Sequence, residues 1–161
     1  MPLTPPLSLV NAVSLRGFNA LYYHSHKWRA CRAISHYQPF FYPLDSIAHW
    51  NRMYGPRGFY QYQCVVPFEG GEQAIAAMLA RISESGQGSF LAVLKTFGSR
   101  PSLGLLSFPR PGITLALDFP NLGDSTLRLF EQLDTLVSQN DGRIYPAKDA
   151  RMPASLFQSG Y

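Results

Sequence analysis

Residues 58–66, Gly-Phe-Tyr-Gln-Tyr-Gln-Cys-Val-Val, give the clearest indication of how this chain folds. Their aromatic and β-branched side chains predict a β-strand. Apolar residues at helical spacing then predict helices over residues 72–85 and about 125–140. Further strands are predicted over 89–97, 112–119 and 143–145. The order strand, helix, strand, strand, helix, strand predicts an α+β, ferredoxin-like βαββαβ antiparallel sheet, with both helices on one face and the first and third strands in the middle.

The predicted domain organisation follows from this alternation. Residues 1–57 are a connecting arm with helical segments, 58–152 the α+β domain, and 153–161 the start of a truncated C-terminal helix. Within the arm, Pro39 and Pro43 bracket an apolar segment that is expected to be extended. A short helix from Asp45 to Tyr54 follows, with Asp45 as its N-cap.

The composition excludes several classes of function. Only 15% of the residues are charged, against roughly 25% in an ordinary soluble domain, so we expect another domain or a ligand to cover part of the surface. The net charge of +4 comes entirely from basic residues before Asp45, which argues against a nucleic-acid-binding surface on the domain.

Cys31 and Cys64 predict no disulfide framework, and His24 with His26 is too small a set for a metal site. No apolar run is long enough for a membrane helix, and the predicted location is cytoplasmic.

Alternation along the strands predicts two different faces of the sheet. The face that lies under the helices carries Tyr60, Tyr62, Cys64 and Val66 of the first strand, Phe90, Ala92 and Leu94 of the second, and Ile113, Leu115 and Leu117 of the third. The open face carries Gln61, Gln63, Lys95, Phe97, Thr114, Ala116 and Asp118. Two amides, a hydroxyl and an ammonium among apolar side chains are typical of a ligand pocket.

The residues alone leave simpler interpretations open. Lys95 can extend to water, and the two glutamines can be ordinary exposed residues. Lys148, just after the fourth strand, is either part of a charged turn or a cation directed at a reacting centre.

A resemblance extends over residues 40–152. The motifs that carry it are Phe41-Tyr42-Pro43-Leu44-Asp45, Trp50-Asn51-Arg52, Tyr54-Gly55, Gly58 to Pro67, Leu94-Lys95-Thr96-Phe97-Gly98, Leu106-Ser107-Phe108-Pro109, Asp118-Phe119-Pro120 and Gly142 to Arg151. They resemble, in order, FAD-linked oxidases of the vanillyl-alcohol-oxidase type that are related to decaprenylphosphoryl-β-D-ribose 2-oxidase. The resemblance implies an FAD-dependent oxidoreductase that oxidises a sugar-type secondary alcohol to a ketone by hydride transfer to the flavin.

The same resemblance implies the roles of individual residues. FAD is expected to be bound mainly by an N-terminal domain absent from this chain, while residues 58–152 form the substrate (cap) domain. Lys148 would be catalytic and would also contact the cofactor. The substrate-binding residues would be Gln61, Gln63, Lys95, Phe97, Thr114 and Tyr42. The full-length enzyme could then associate with a membrane through a polyprenyl-phosphate-sugar substrate.

Two features of the sequence depart from the family pattern, and two other classes of protein remain as alternatives. Thr114 and Ala116 stand where the ribose oxidases have Asn and Cys, so another sugar or alcohol is as good a candidate substrate. No Gly-rich pyrophosphate-binding stretch is present, and the chain alone is expected to bind FAD weakly or not at all. The main alternative is a stand-alone ferredoxin-like ligand-binding domain. A nucleic-acid-binding module is less favoured, because Arg57-Gly58-Phe59-Tyr60 falls on the first strand instead of the third.

Overall fold

A computed structural model of the chain describes residues 3–27, 34–42, 44–148 and 151–161. Cys31 and Pro43 lie outside the described residues. The chain forms α1 (Ala12–Lys27), α2 (Tyr37–Phe41), a 3-10 helix (Trp50–Tyr54), β1 (Phe59–Val66), α3 (Gly71–Glu84), β2 (Ala92–Phe97), β3 (Gly112–Pro120), α4 (Asp124–Gln139), β4 (Arg143–Ile144) and α5 (Ala154–Gly160).

The four strands form one antiparallel sheet in the order β2-β3-β1-β4. This confirms the predicted α+β class and the central position of the first and third strands. The register pairs Gln61 with Asp118 and Gln63 with Ala116 across β1 and β3. Directly paired residues point to the same face of a sheet, so the register also decides which side chains meet.

Helices α3 and α4 cover one face of the sheet. Tyr62, Cys64 and Val66 of β1 are buried there together with Leu115 and Leu117 of β3. The helices contribute Ala74, Ile75, Met78, Ile82, Leu129, Phe130, Leu133 and Val137 to this core. The alternation of side chains along β1 and β3 therefore assigns the core face as predicted.

The edge strand β2 departs from the prediction in two respects. It begins at Ala92 instead of residue 89, and Leu94 is 58% exposed although it was expected to lie under the helices. The helices pack against β1, β3 and β4, so the corresponding face of β2 remains open to solvent. Phe90 precedes the strand and contacts Phe18 of α1, with ring centroids 4.9 Å apart.

The arm also differs from the prediction. The segment around Phe40 and Phe41, expected to be extended, forms α2. Proline fits there because it occupies the third residue of the helix, in the first turn, where a backbone N–H has no partner within the helix. The helix expected from Asp45 to Tyr54 is wrong as well, since only Trp50–Tyr54 is helical and its N-cap is His49. The arm packs on the domain through a second cluster of Val10, Leu15 and Tyr54, which Trp50, Met53, Phe59 and Phe90 extend.

Two buried positions hold the sheet and helices in register. Gly112 begins β3 at φ 155°, and a Cβ atom on it would lie 2.1 Å from the carbonyl oxygen of Val66. The buried hydroxyl of Thr126 lies 2.8 Å from Gln87 Oε1 and 2.9 Å from the Pro120 carbonyl oxygen, and it accepts the N–H of Leu122 at 3.1 Å.

Among the described residues, no helix has both the length and the apolar character required to cross a bilayer.

Candidate active site

A cavity of about 230 Å³ lies on the open face of the sheet, opposite α3 and α4. Its lining comes from the sheet, the arm and the turn after β4: Leu44, Trp50, Gln61, Tyr62, Gln63, Leu91, Val93, Lys95, Ala116, Leu117, Asp118 and Lys148. Four of the residues that the resemblance assigned to the site, Gln61, Gln63, Lys95 and Lys148, thus surround one space. The cavity combines apolar walls with a few polar groups, which is the usual character of a small-molecule site.

Three of these side chains form a chain of hydrogen bonds. The ammonium of Lys148 donates to Gln61 Oε1 at 3.2 Å, and Gln61 Nε2 donates to Asp118 Oδ1 at 3.0 Å. The amide of Gln61 can therefore satisfy both neighbours in only one orientation, with its oxygen toward the cation and its nitrogen toward the carboxylate. Gln61 and Asp118 meet because the register pairs them directly.

Asp118 is the charged group buried deepest at this site, with 7% of its surface exposed. Burial raises the pKa of its carboxyl group, while the hydrogen bond from Gln61 and the positive charge of Lys148 oppose that rise. The sequence analysis placed Asp118 on the open face but gave it no role. A carboxylate between the apolar residues Leu117 and Phe119 was the signal that could have identified it.

The second glutamine has a different partner. Gln63 Nε2 donates to the hydroxyl of Thr114 at 3.3 Å. Thr114 is buried and is not one of the residues that line the cavity. The hydroxyl therefore orients Gln63, whose side chain does line the cavity.

The remaining predicted residues lie at different distances from the cavity. Phe97 contacts the cavity residue Lys95, whose ammonium lies 5.6 Å from the Phe97 ring centroid. The ring of Phe97 also packs edge to face against Phe108, with ring centroids 5.9 Å apart. Tyr42 is 56% exposed and does not line the cavity. Its neighbour in the arm, Leu44, does.

Trp50 is a site residue that the sequence analysis quoted only within a motif. It lines the cavity from the 3-10 helix, and its ring packs against Phe59 at 5.3 Å and Tyr54 at 6.1 Å. Burial raises the pKa of the Tyr54 hydroxyl to about 12. A hydrogen bond with Ser89 lowers this pKa, whereas the negative charge of Asp118 raises it further. The arm therefore forms one wall of the site.

The donor set fits the edge of a flat, electron-accepting ring such as a flavin. An ammonium has three N–H donors, and the bond from Lys148 to Gln61 uses one of them. The Asp118 carboxylate accepts a hydrogen bond from Gln61 Nε2, so the Gln61 amide lies between the carboxylate and the ammonium. Lys148 could contact such a cofactor, and Gln61, Gln63 and Lys95 could bind polar groups of a substrate beside it.

This chain is similar in sequence to several known proteins. No family model matches it. An uncharacterized protein in the mprA 5' region of Streptomyces coelicolor is 32% identical over 104 residues, which cover 65% of this chain and 28% of that protein. A decaprenylphosphoryl-beta-D-ribose oxidase from Mycolicibacterium smegmatis is 37% identical over 157 residues, covering 97% of this chain and 33% of the oxidase.

The chain spans about a third of the length of these relatives. The match to the oxidase includes the open sheet face and most of the arm, so both walls of the cavity lie within it. The resemblance read from the motifs is confirmed: over nearly its whole length, this chain is similar to a decaprenylphosphoryl-beta-D-ribose oxidase.

Proposed function

We propose that this chain forms the substrate-facing part of an FAD-dependent oxidoreductase that oxidises a secondary alcohol of a sugar-type substrate to a ketone. The hydrogen-bonded chain Lys148–Gln61–Asp118, whose three residues line the cavity, is the observation that carries the proposal. The similarity to a protein named as an oxidase supports it. FAD would be bound mainly by a further domain outside this chain.

The proposed chemistry divides between cofactor and protein. Bound FAD would supply the two-electron acceptor for a hydride from the alcohol carbon, and the hydroxyl proton would pass to solvent water as the ketone forms. Lys148 would hold a positive charge and an N–H donor beside the reacting groups, where negative charge develops. A donor placed in this way commonly contributes about 100- to 1,000-fold to the rate. Because the ammonium already donates to Gln61 Oε1, that donor would be directed toward the cavity before the substrate arrives.

The other side chains would bind and orient the substrate. Gln63 and Lys95 offer hydrogen bonds to hydroxyl or phosphate oxygens, and Val93 and Trp50 offer apolar contact. Phe97 would extend the apolar wall beyond Lys95, and Thr114 would act by orienting Gln63. Tyr42, at the exposed end of α2, would contact only a substrate that extends out of the cavity. A polyprenyl-phosphate-linked sugar has that shape.

The test uses the protein encoded by the complete reading frame. Its visible spectrum is recorded anaerobically before and after addition of a polyprenyl-phosphate-linked ribose. We expect flavin absorbance that bleaches with substrate and that bleaches about 100-fold more slowly in Lys148→Ala. Lys27→Ala is the matched control, because it removes a lysine from the exposed end of α1.

Two outcomes would contradict different parts of the proposal. A complete protein that is colourless and binds no flavin would overturn the oxidoreductase and favour a stand-alone ligand-binding domain. Lys148→Ala that bleaches as fast as the unmodified protein would leave the oxidase in place and remove Lys148 from its mechanism.

A further inference from the structure

A second polar network lies on the opposite side of the sheet, under α4. Asp134 of α4 accepts a hydrogen bond from the hydroxyl of Tyr62 at 3.0 Å through Oδ1. Its other oxygen, Oδ2, accepts from Arg151 Nη2 at 2.6 Å. The ion pair is largely shielded from water, with 18% of the Arg151 side chain and 8% of the Asp134 side chain exposed. Both carboxylate oxygens are therefore engaged by separate elements of the fold.

The arginine of this network is also held by an aromatic ring. Its guanidinium group lies 5.1 Å from the ring centroid of Phe130, which is fully buried. A planar guanidinium held by both a carboxylate and a ring face has one favourable orientation, which a lysine ammonium would not reproduce. The position of Arg151 is thus fixed relative to the helix layer.

Lys148 precedes Arg151 by three residues, so their Cα atoms are at most about 11 Å apart. On the other side of Lys148, the N–H of Tyr145 donates to the Gln63 carbonyl at 2.8 Å, and the N–H of Lys148 donates to the Tyr145 carbonyl at 3.0 Å. The backbone of Lys148 is therefore tied to β1 before it and to α4 shortly after it. Its side chain reaches across to Gln61 on the open face.

We propose that Asp134 and Arg151 are positioning residues for Lys148. The ion pair under α4 anchors Arg151, three residues after the lysine, and this anchor would keep the Lys148 ammonium in reach of Gln61 and of the reacting groups. This inference rests on the proposed function of Lys148, and it gives a role to an ion pair that touches neither the cavity's polar chain nor the substrate. Tyr62 contributes by holding the carboxylate against the sheet.

The first test compares steady-state rates of the full-length holoenzyme. Asp134→Asn keeps the shape of the side chain and removes its charge. We expect kcat to fall about 10- to 100-fold with little change in KM, because a small misplacement of a catalytic group acts on the reacting geometry. Glu84→Gln is the matched control, since it breaks the exposed ion pair with Arg81 on α3, and its kcat should be unchanged.

A double-mutant comparison separates positioning from general destabilisation. Asp134→Asn is added to Lys148→Ala, and both kcat and the melting temperature are measured. If Asp134 acts through Lys148, the second substitution lowers the melting temperature but has no further effect on kcat. An equal loss of kcat with and without Lys148 would overturn the inference. Arg151→Lys, a milder change, should lose rate in the same way.

The second test does not depend on activity and therefore separates this inference from the proposed function. The chain is treated with an amine-specific reagent, and labelling at its three lysines is followed by mass spectrometry. In Asp134→Asn, Lys148 should react about threefold faster or more, because its hydrogen bond to Gln61 is weakened. Lys27 should be unaffected, and so should Lys148 in Glu84→Gln. Unchanged labelling of Lys148 in a destabilised Asp134→Asn would refute the positioning role.

Discussion

Replacing Phe130 by alanine tests how much of the fold depends on the contact between α4 and β1. The Phe130 side chain is 0% exposed, and its ring centroid lies 5.9 Å from Tyr60, 5.1 Å from Tyr62 and 5.2 Å from Phe119. Removing a buried phenylalanine side chain commonly costs about 3–5 kcal/mol, because transfer energy is lost and a cavity remains. The measured range already includes the aromatic contacts that are lost with the ring, so we expect a loss of about 4 kcal/mol.

The assay is urea unfolding of the chain followed by far-UV circular dichroism. With a slope of about 2 kcal/mol per molar urea, the midpoint should fall by about 2 M. Phe40→Ala is the matched control, because the same group is removed from a side chain that is 70% exposed, and its effect should stay within about 0.5 kcal/mol. A loss below about 1 kcal/mol for Phe130→Ala would refute this account of the core.

Three further predictions concern buried groups elsewhere in the domain. Gly112→Ala should cost about 2 kcal/mol or more in urea unfolding, because the new Cβ atom would overlap the carbonyl oxygen of Val66. Thr126→Val should cost about 1–3 kcal/mol by the same assay, because it leaves the N–H of Leu122 without its acceptor. Burial raises the pKa of the Cys64 thiol from 9.0 to about 12, so the folded chain keeps a proton that the unfolded chain releases. Stability should therefore fall as the pH rises from about 9 toward 12, by up to about 1.4 kcal/mol per pH unit, and urea midpoints should decline less steeply in Cys64→Ala.

The central strand could be interpreted from the sequence because both of its faces are constrained. Tyr62, Cys64 and Val66 of β1 are buried against the helices, so Gln61 and Gln63 had to point to the opposite face. The same reasoning failed on β2, where Leu94 is exposed. An edge strand has a partner on one side only, and the helices of this fold do not extend over it.

The site was predicted in part for a related reason. Alternation places side chains on a face, but it does not reveal which residues of neighbouring strands are paired. The bond between Gln61 and Asp118 depends on the register of β1 with β3, and that register is a property of the assembled sheet. Trp50 reaches the cavity because the arm folds back onto the domain, which no local pattern in the sequence encodes.

The strict separation of the two faces of β1 has a consequence for how this protein can be changed. Gln63 and Ala116, its partner on β3, line the cavity and do not belong to the core under the helices. Such positions are suitable for a mutant library that varies the lining of the cavity at little cost in stability. A deletion of one residue within β1 would do the opposite, because every following side chain would exchange faces and the glutamine amide would enter the core. In this strand, a substitution can therefore change the lining of the cavity while the core is kept. An insertion or deletion changes both at once.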